Sequence, residues 1–183
     1  MNSNEYERKK MLTADEHGSL MLQLSSLTTR FPITQINYYF DDIYFTLHNR
    51  SETLRIRQIE KNLTLEHKYN KRYIDGIRVC DELKKTVDWL PQQIVIKNTK
   101  YFYIGNMTTE RMNFIFDNAT FSLDKSMYLG VIDYELEVEA DSREQMINQI
   151  DLGISFEQIP YGKYTRFMNR FMEMRSEFDN VCF

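Results

Sequence analysis

The strict alternation of charged and apolar residues along several segments is the feature that most constrains this fold. The clearest example is residues 130–141, GVIDYELEVEAD. Its odd positions carry Asp133, Glu135, Glu137 and Glu139, and its even positions carry Tyr134, Leu136, Val138 and Ala140. Because successive side chains of a β-strand point to opposite faces, this segment is predicted to be a strand with one acidic and one apolar face.

A basic hairpin is predicted at residues 53–69, TLRIRQIEKNLTLEHKY. Arg55 and Arg57 share one face of its first strand, and a tight turn near residues 60–62 returns the chain. Pairing residue 57 with residue 64 places Glu66 and Lys68 on the face of the arginines, because opposite residues in a ladder share a face. A salt bridge to Arg55 is the simplest interpretation of the lone acid, Glu66.

The rest of the chain predicts further strands with helices between them. Thr13 is a candidate N-cap for a helix that follows it, and residues 91–98 predict a short helix. Turns are expected near residues 105–106 and 117–118, and helices at residues 142–153 and near the C-terminus. The apolar residues of RFMNRFMEM are predicted to pack on the exterior of the sheet. We therefore expect one α+β domain over residues 1–183, rich in antiparallel strands.

Composition limits the partners that this chain is expected to have. The net charge of −4 offers no global attraction to nucleic acid or to an anionic membrane. No apolar run approaches the roughly 20 residues of a membrane span, and the polar N-terminus does not resemble a signal peptide. Cys80 and Cys182 lack metal-binding spacing, so we expect reduced thiols in a cytoplasmic protein, either monomer or homodimer.

The charged faces have two explanations. A sheet often packs one face on a core and leaves the other in water, and charged faces would then simply be solvated. However, solvated faces usually mix both signs, whereas here the hairpin is basic and the 133–139 row is acidic. The first segment, MNSNEYERKKML, also carries Glu5, Glu7 and Lys9 at alternate positions. If the sheet closed on itself, these rows would meet across a barrel interior.

A closed interior of this kind has a definite chemistry. Carboxylates on facing strands are hard oxygen ligands for Mg²⁺ or Mn²⁺. Arginine and lysine side chains in the same space would hold phosphate oxygens, arginine in bidentate fashion. Together, the two sets of residues predict a cavity that binds a divalent metal and a polyphosphate at once.

Several blocks of this sequence resemble one known family. The segment Glu5-Tyr-Glu7-Arg-Lys9 resembles the ExExK signature of the CYTH family, also called triphosphate tunnel metalloenzymes. Further blocks resemble the family in the same order: YYFDDIYFTLHNRSETLRIRQ with LEHK, TERMNF, LDKSMYLGVIDYELEVEA and GKYTRF. The resemblance covers nearly the whole chain. It is strongest to the small single-domain members of Gram-positive bacteria, which are often labelled adenylate cyclases.

The resemblance implies a closed eight-stranded antiparallel β-barrel with helices outside, which binds a triphosphate and a divalent metal. The implied triphosphate-binding residues are Lys9, Arg55, Arg57, Lys68, Arg111, Lys163 and Arg166. The implied metal ligands are Glu5, Glu7, Asp124, Glu135, Glu137 and Glu139. Glu7 and Glu135 are the candidates to assist an attacking water and are the predicted catalytic residues.

Three functions remain open from the sequence. The leading hypothesis is a Mg²⁺- or Mn²⁺-dependent triphosphatase acting on a small-molecule triphosphate, above all inorganic triphosphate. The second is an adenylate cyclase, which would need an adenine pocket that no segment of the sequence indicates. The third is a non-catalytic polyphosphate or nucleotide sensor, against which the many carboxylates argue.

Overall fold

Most of the chain forms strands, as the alternating pattern predicts. The structure, a computed structural model, describes residues 3–25, 31–74, 77–116, 119–140, 142 and 161–181. Within these ranges lie nine strands: β1 (Ser3–Leu12), β2 (Ile33–Asp41), β3 (Thr53–Ile59), β4 (Asn62–Ile74), β5 (Ile77–Val87), β6 (Gln93–Ile96), β7 (Thr99–Phe116), β8 (Ala119–Tyr128) and β9 (Val131–Ala140). The same ranges hold three helices: α1 (Ala14–Ser25), α2 (Thr46–Asn49) and α3 (Lys163–Val181). None of these helices is long and apolar enough to cross a membrane.

Eight of these strands form a closed antiparallel barrel. Around the barrel the order is β2-β3-β4-β5-β1-β9-β8-β7, and the pairing of β7 with β2 completes the circle. The remaining strand, β6, pairs with the first residues of β7. The closed eight-stranded barrel expected from the family resemblance is therefore confirmed, and it gives every strand one inward and one outward face.

The strand register sends the charged rows inward. In the predicted hairpin, Arg57 lies opposite Thr64, so the expected register of β3 and β4 is confirmed. Lys9 lies opposite Glu137 where β1 meets β9, and Arg111 lies opposite Asp124 where β7 meets β8. Acids and cations thus become direct cross-strand neighbours inside the barrel.

Much of the apolar core lies on the outer face of the barrel, where helix α1 covers part of it. Thr13 and Glu16 form a capping box that starts this helix: the Thr13 Oγ1 accepts from the Glu16 N–H at 3.1 Å, and the Glu16 carboxylate accepts from the Thr13 N–H at 2.7 Å. The helix buries Leu20 and Leu24 against outward-facing strand residues, including Leu123, Leu136 and Val138. A second outer cluster contains Phe40, Leu47, Leu54 and Ile56. Much of the outer face of the barrel wall is therefore apolar.

Helix α3 packs on inward-facing residues, contrary to the prediction of an exterior position. Its Phe167 and Met168 are fully buried against Tyr39 and Met107, which project from the inner faces of β2 and β7. The 3.6-residue period of the sequence identifies the apolar face of this helix but does not tell which surface of the barrel receives it. The first turn of the helix brings Lys163, Tyr164 and Thr165 to the interior cavity.

Two further local predictions are wrong. Residues 91–98 hold strand β6 rather than a short helix, and Lys97 and Asn98 both have positive φ, as a two-residue hairpin turn requires. No turn occurs near Gly105, because β7 continues through it with an irregular register opposite Tyr39 and Phe40. The predicted turn at residues 117–118 and, apart from Ser142, the predicted helix at 142–153 lie outside the described residues.

Candidate active site

The barrel encloses a charged cavity with an empty volume of about 640 Å³, open to solvent at its mouth. Among the described residues, nine cations line it: Lys9, Arg55, Arg57, Lys68, Lys71, Arg78, Lys84, Arg111 and Lys163. Four acids line it as well: Glu7, Glu82, Glu137 and Glu139. The excess of cations makes the cavity suited to a highly charged anion, and the acids add the donor atoms that a divalent metal prefers.

The acids form two groups that share Glu137. In one group, the carboxylate oxygens of Glu7, Glu137 and Glu139 lie within 4.8 Å of one another. In the other, those of Asp124, Glu135 and Glu137 lie equally close. Converging hard oxygen donors at this spacing fit a Mg²⁺- or Mn²⁺-type cation, and the donor set includes no soft sulfur ligand.

Two lysines place positive charge among these acids. The Lys9 Nζ lies 2.5 Å from Glu7, 3.0 Å from Glu137 and 3.6 Å from Glu135. Burial alone would lower the pKa of Lys9, but these carboxylates raise that pKa above its ordinary value. The Lys163 Nζ contacts Glu135, lies 2.8 Å from Asp124, and has a raised pKa for the same reason.

The pKa of Glu135 shifts in the opposite direction. Burial alone would raise the pKa of Glu135, but Lys163 and Lys9 outweigh burial and lower this pKa to about 2. Arg166 also donates to Glu135 at 2.8 Å, and its Nε donates to Asp133 at 2.8 Å. Glu135 is therefore a carboxylate held ionised by several cations at once.

Arg111, on β7, forms hydrogen bonds to acidic residues of both β8 and β9. Its Nε and Nη2 donate to Asp124 at 2.8 and 2.7 Å, and Nη2 also donates to Glu137 at 2.9 Å. These three bonds fix the guanidinium at the edge of the cavity, and Asp124 is completely buried behind it. Both carboxylates are thereby oriented as well as neutralised.

The basic hairpin supplies the opposite part of the wall. The Arg55 Nε donates to Glu66 at 2.7 Å, so the expected salt bridge is confirmed. Burial alone would raise the pKa of Glu66, but Arg55 and then Arg57 lower it to about 2. The positive charge of Arg57 is less fully neutralised by acids. Its Nε donates to the Asn37 amide oxygen, and its nearest described carboxylate, that of Glu66, is 3.6 Å away. The side chain of Arg57 remains 19% exposed.

The structure brings most of the predicted site residues to one cavity. Its lining includes Glu7, Lys9, Arg55, Arg57, Lys68, Arg111, Glu137, Glu139 and Lys163. Three others stand behind the lining: Asp124 and Glu135, which are fully buried, and Arg166, which pairs with Glu135. The backbone of Glu5 pairs with Cys80, which faces the same way as Arg78 on β5, but the side chain of Glu5 lies outside the described residues.

Several cavity residues were missed at the sequence level. Arg78, Glu82 and Lys84 alternate along β5, and Arg78 contacts Glu7 while Lys84 lies 2.7 Å from Glu82. The placement of these three charges on even positions of IRVCDELKK was a usable signal. Lys71 carried no such signal, because its odd position in β4 predicts an outward side chain.

Comparisons with known proteins agree with this architecture. A CYTH domain family model matches residues 3–171. A Bacillus subtilis (strain 168) protein named "Putative triphosphatase YjbK" is 30% identical over 149 residues, covering 74% of this chain and 77% of that protein.

Two solved structures have the same barrel. A "putative adenylate cyclase" from Bacillus halodurans is 27% identical, covers 91% of this chain and 98% of its own, and gives a TM-score of 0.73. The second is HpAC1 from Hippeastrum, described as a "putative adenylyl cyclase" with a dominant triphosphatase activity. It is 18% identical, the match covers 90% of this chain and 95% of that chain, and the TM-score is 0.75. The second likeness concerns the fold alone. Family match, relatives and barrel geometry together establish that the chain belongs to the CYTH domain family.

Proposed function

We propose that this protein is a divalent-metal-dependent triphosphatase whose preferred substrate is inorganic triphosphate. One observation carries the proposal: a single cavity holds an excess of cations beside two groups of converging carboxylates. Pure anion binding would not favour so many acids, whereas a metal bound together with a polyphosphate needs both sets. The name of the Bacillus subtilis relative supports the same activity.

The cations hold the substrate in this proposal. Arg57, whose nearest described carboxylate lies 3.6 Å away, binds phosphate oxygens through its exposed guanidinium edge. Arg55 and Lys68 flank it on β3 and β4, while Lys9, Arg111 and Lys163 reach the cavity from β1, β7 and α3. Their charges also stabilise the negative charge that develops on the transferred phosphoryl group.

The carboxylates that hold the metal, Mg²⁺ or Mn²⁺, form two groups, and Glu137 belongs to both. Glu7, Glu137 and Glu139 form the group that lines the cavity, while Asp124 and Glu135 complete the deeper one. We assign the side chain of Glu5 to the same role from the family motif. When bound, a divalent cation neutralises phosphate charge and acidifies a coordinated water.

Glu7 is the better candidate to accept the proton of the attacking water. It lines the cavity, whereas Glu135 is fully buried behind the lining. With its pKa lowered to about 2, Glu135 is also a poor base at neutral pH. We therefore assign proton transfer to Glu7 and the positioning of Lys163 and Arg166 to Glu135.

The lining of the cavity favours an inorganic substrate over a nucleotide. Adenine recognition needs an apolar or aromatic surface, and Tyr164 is the only aromatic residue in the described lining. Its hydroxyl donates to Asp41 at 2.8 Å and is already used there. The adenylate cyclase activity named for the Bacillus halodurans neighbour remains the alternative. The proposal includes a cytoplasmic location, a monomer or homodimer, and neither nucleic acid nor membrane as partner.

The decisive experiment measures phosphate and pyrophosphate release from inorganic triphosphate and from ATP, each with Mg²⁺ and with Mn²⁺. We expect phosphate from inorganic triphosphate, and a loss of about a hundredfold in kcat/KM for Arg57→Ala. Arg72→Ala, on the exposed outer side of β4, is the matched control and should keep full activity with an unchanged circular dichroism spectrum.

Other outcomes of this experiment would overturn the proposal. Pyrophosphate and cyclic AMP from ATP, without phosphate from inorganic triphosphate, would make the protein an adenylate cyclase. Tight triphosphate binding without any turnover in either metal would make it a sensor. Full activity of Arg57→Ala would remove the hairpin from the substrate site.

A further inference from the structure

Strand β4 contains a bulge that changes which of its side chains face the cavity. Tyr69 lies opposite Asp81 and Arg72 lies opposite Val79, so residues 70 and 71 together face the single position of Cys80. Asn70 takes the positive φ of 52° that this irregularity needs, and its amide donates outward to Asp81 at 2.8 Å. The inward place opposite Cys80 is left to Lys71.

Lys71 therefore becomes part of the cavity lining although strand alternation alone would turn it outward. Its Nζ donates to the hydroxyl of the buried Thr53 on β3 at 2.9 Å. Within the described part of the chain, no carboxylate lies within 4.0 Å of this ammonium group. Lys9 and Lys163, in contrast, each contact carboxylates directly. Among the described side chains, Lys71 is thus a cavity cation without a neutralising acid.

The described groups that face Lys71 are mostly positive. Lys68 lies on its own strand, Arg78 and Cys80 on β5, and Glu7 on β1. Burial first, then Arg78 and Lys68, lower the pKa of Lys71 to about 7. A polyphosphate in the cavity would bring in the negative charge that this position lacks.

We propose that Lys71 binds the phosphate group of the substrate that lies furthest from the deeper acid group of Asp124, Glu135 and Glu137. Strand β4 is four strands from β8 in the eight-stranded circle, so Lys71 and Asp124 lie on opposite walls. A chain of three phosphates reaches both walls more readily than a chain of two. Lys71 thereby contributes to discrimination between triphosphate and pyrophosphate, an inference that rests on the proposed function.

The test compares binding of inorganic triphosphate and of pyrophosphate to Lys71→Met, Lys71→Arg and wild type by calorimetry, in EDTA to prevent turnover. Methionine keeps the length of the side chain without its charge. Loss of one charge-assisted contact predicts triphosphate affinity about tenfold weaker in Lys71→Met at one pH unit below its pKa, with pyrophosphate affected less than about twofold. Lys85→Met, on the outward face of β5, should bind both anions as wild type does.

Protonation provides a readout that a merely structural role would not change. At one pH unit above the pKa of Lys71, wild type should take up a proton when triphosphate binds, seen as a dependence of the measured heat on the ionisation enthalpy of the buffer. Lys71→Met should lose this uptake. Lys71→Arg should bind triphosphate tightly without proton uptake, because the arginine is charged at every pH tested.

Unchanged triphosphate affinity and unchanged proton uptake in a folded Lys71→Met would overturn the inference and leave the triphosphatase proposal standing. An equal loss of affinity for both anions would also overturn it, because Lys71 would then bind a phosphate that both share. The proposed function fails separately, if wild type binds triphosphate but never hydrolyses it.

Discussion

The ion pair of Arg55 and Glu66 illustrates how single residues set the charge of the cavity. Both side chains are buried, and the pKa of Glu66 is lowered to about 2. A carboxyl group whose pKa is lower in the folded protein contributes stability that is fully present above its unfolded pKa. That contribution is lost as the pH falls from about 4.5 towards 2.

We expect Glu66→Gln to lower the free energy of unfolding by about 3 kcal/mol at neutral pH, because it leaves Arg55 buried without its charge partner. The difference from wild type should shrink progressively as the pH falls below about 4.5, where wild-type Glu66 begins to be protonated. Urea unfolding over this pH range measures both effects.

Glu110→Gln is the control for this prediction. Glu110 faces outward on β7, is 48% exposed and pairs with Lys125 at 3.4 Å. An exposed pair of this kind contributes little, so we expect a change below about 1 kcal/mol at every pH. Equal destabilisation by both substitutions would contradict the importance given to the buried pair.

At the residue scale, the candidate site was largely predictable because inward side chains follow strand parity. Chemical type and two-residue spacing were sufficient to select Arg55, Arg57 and the acids of β9. Parity fails where the backbone departs from regular pairing, and the bulge that turns Lys71 inward is such a place. Sequence periodicity also says nothing about which cation neutralises which acid.

At the scale of secondary-structure elements, the position of α3 depends on a close approach to β7. The backbone of Gly105 has a φ of +150°, and a Cβ atom added there would lie 2.6 Å from the Phe167 ring. Glycine therefore allows the helix to reach the inner faces of β2 and β7. The same helix carries Lys163 and Arg166 to the acids.

We expect Gly105→Ala to destabilise the protein by about 2 kcal/mol, through the clash with Phe167 and the unfavourable φ. It should also raise KM for triphosphate, because a displaced α3 moves Lys163. Thermal unfolding and steady-state kinetics measure the two effects.

A second substitution separates the clash from the backbone strain. Phe167→Leu shortens the side chain that the new methyl group meets, so the double variant should be less destabilised than the sum of the two single variants. Gly130→Ala, with positive φ but no atom within 4 Å of the added Cβ, reports strain alone. Strict additivity in the double variant would exclude the proposed contact.

The predicted elements failed where long-range contacts outweigh local signals. The sequence predicted a short helix at residues 91–98, but Ile94 and Ile96 instead pack in the outer cluster beside Leu54 while β6 pairs with β7. Gly105-Asn106 is a common turn signal, but here β7 continues through it as a strand. Glycine at position 105 instead allows helix α3 to approach the strand closely. Registers set by charged and apolar alternation, as in β3 and β4, were predicted correctly.

At the scale of the whole molecule, cations and acids from different walls share one interior. The cavity is lined by β1, β3, β4, β5, β7, β9 and α3, so a bound anion would contact elements that are far apart in the chain. Binding energy therefore adds to the cooperative stability of the entire barrel, because no single element holds the ligand.

This arrangement predicts a synergy between metal and substrate in thermal stability. Mg²⁺ alone should change the melting temperature little, because Lys9, Lys163 and Arg111 already neutralise the clustered acids. Triphosphate with Mg²⁺ at about a hundredfold excess over its Kd should raise the melting temperature by about 5 to 10 °C, the shift expected from linkage in a chain of this size. Mn²⁺ should give the same pattern.

Differential scanning fluorimetry under conditions of negligible turnover measures these shifts. Glu137→Gln, which weakens both acid groups, should lose the part of the shift that depends on Mg²⁺ while keeping part of the shift due to triphosphate alone. EDTA should reduce the shift of the wild-type protein to that of Glu137→Gln. A shift with triphosphate that is identical with and without Mg²⁺ would mean that the acids serve only to hold the cations in place, and the metal would then have no part in this cavity.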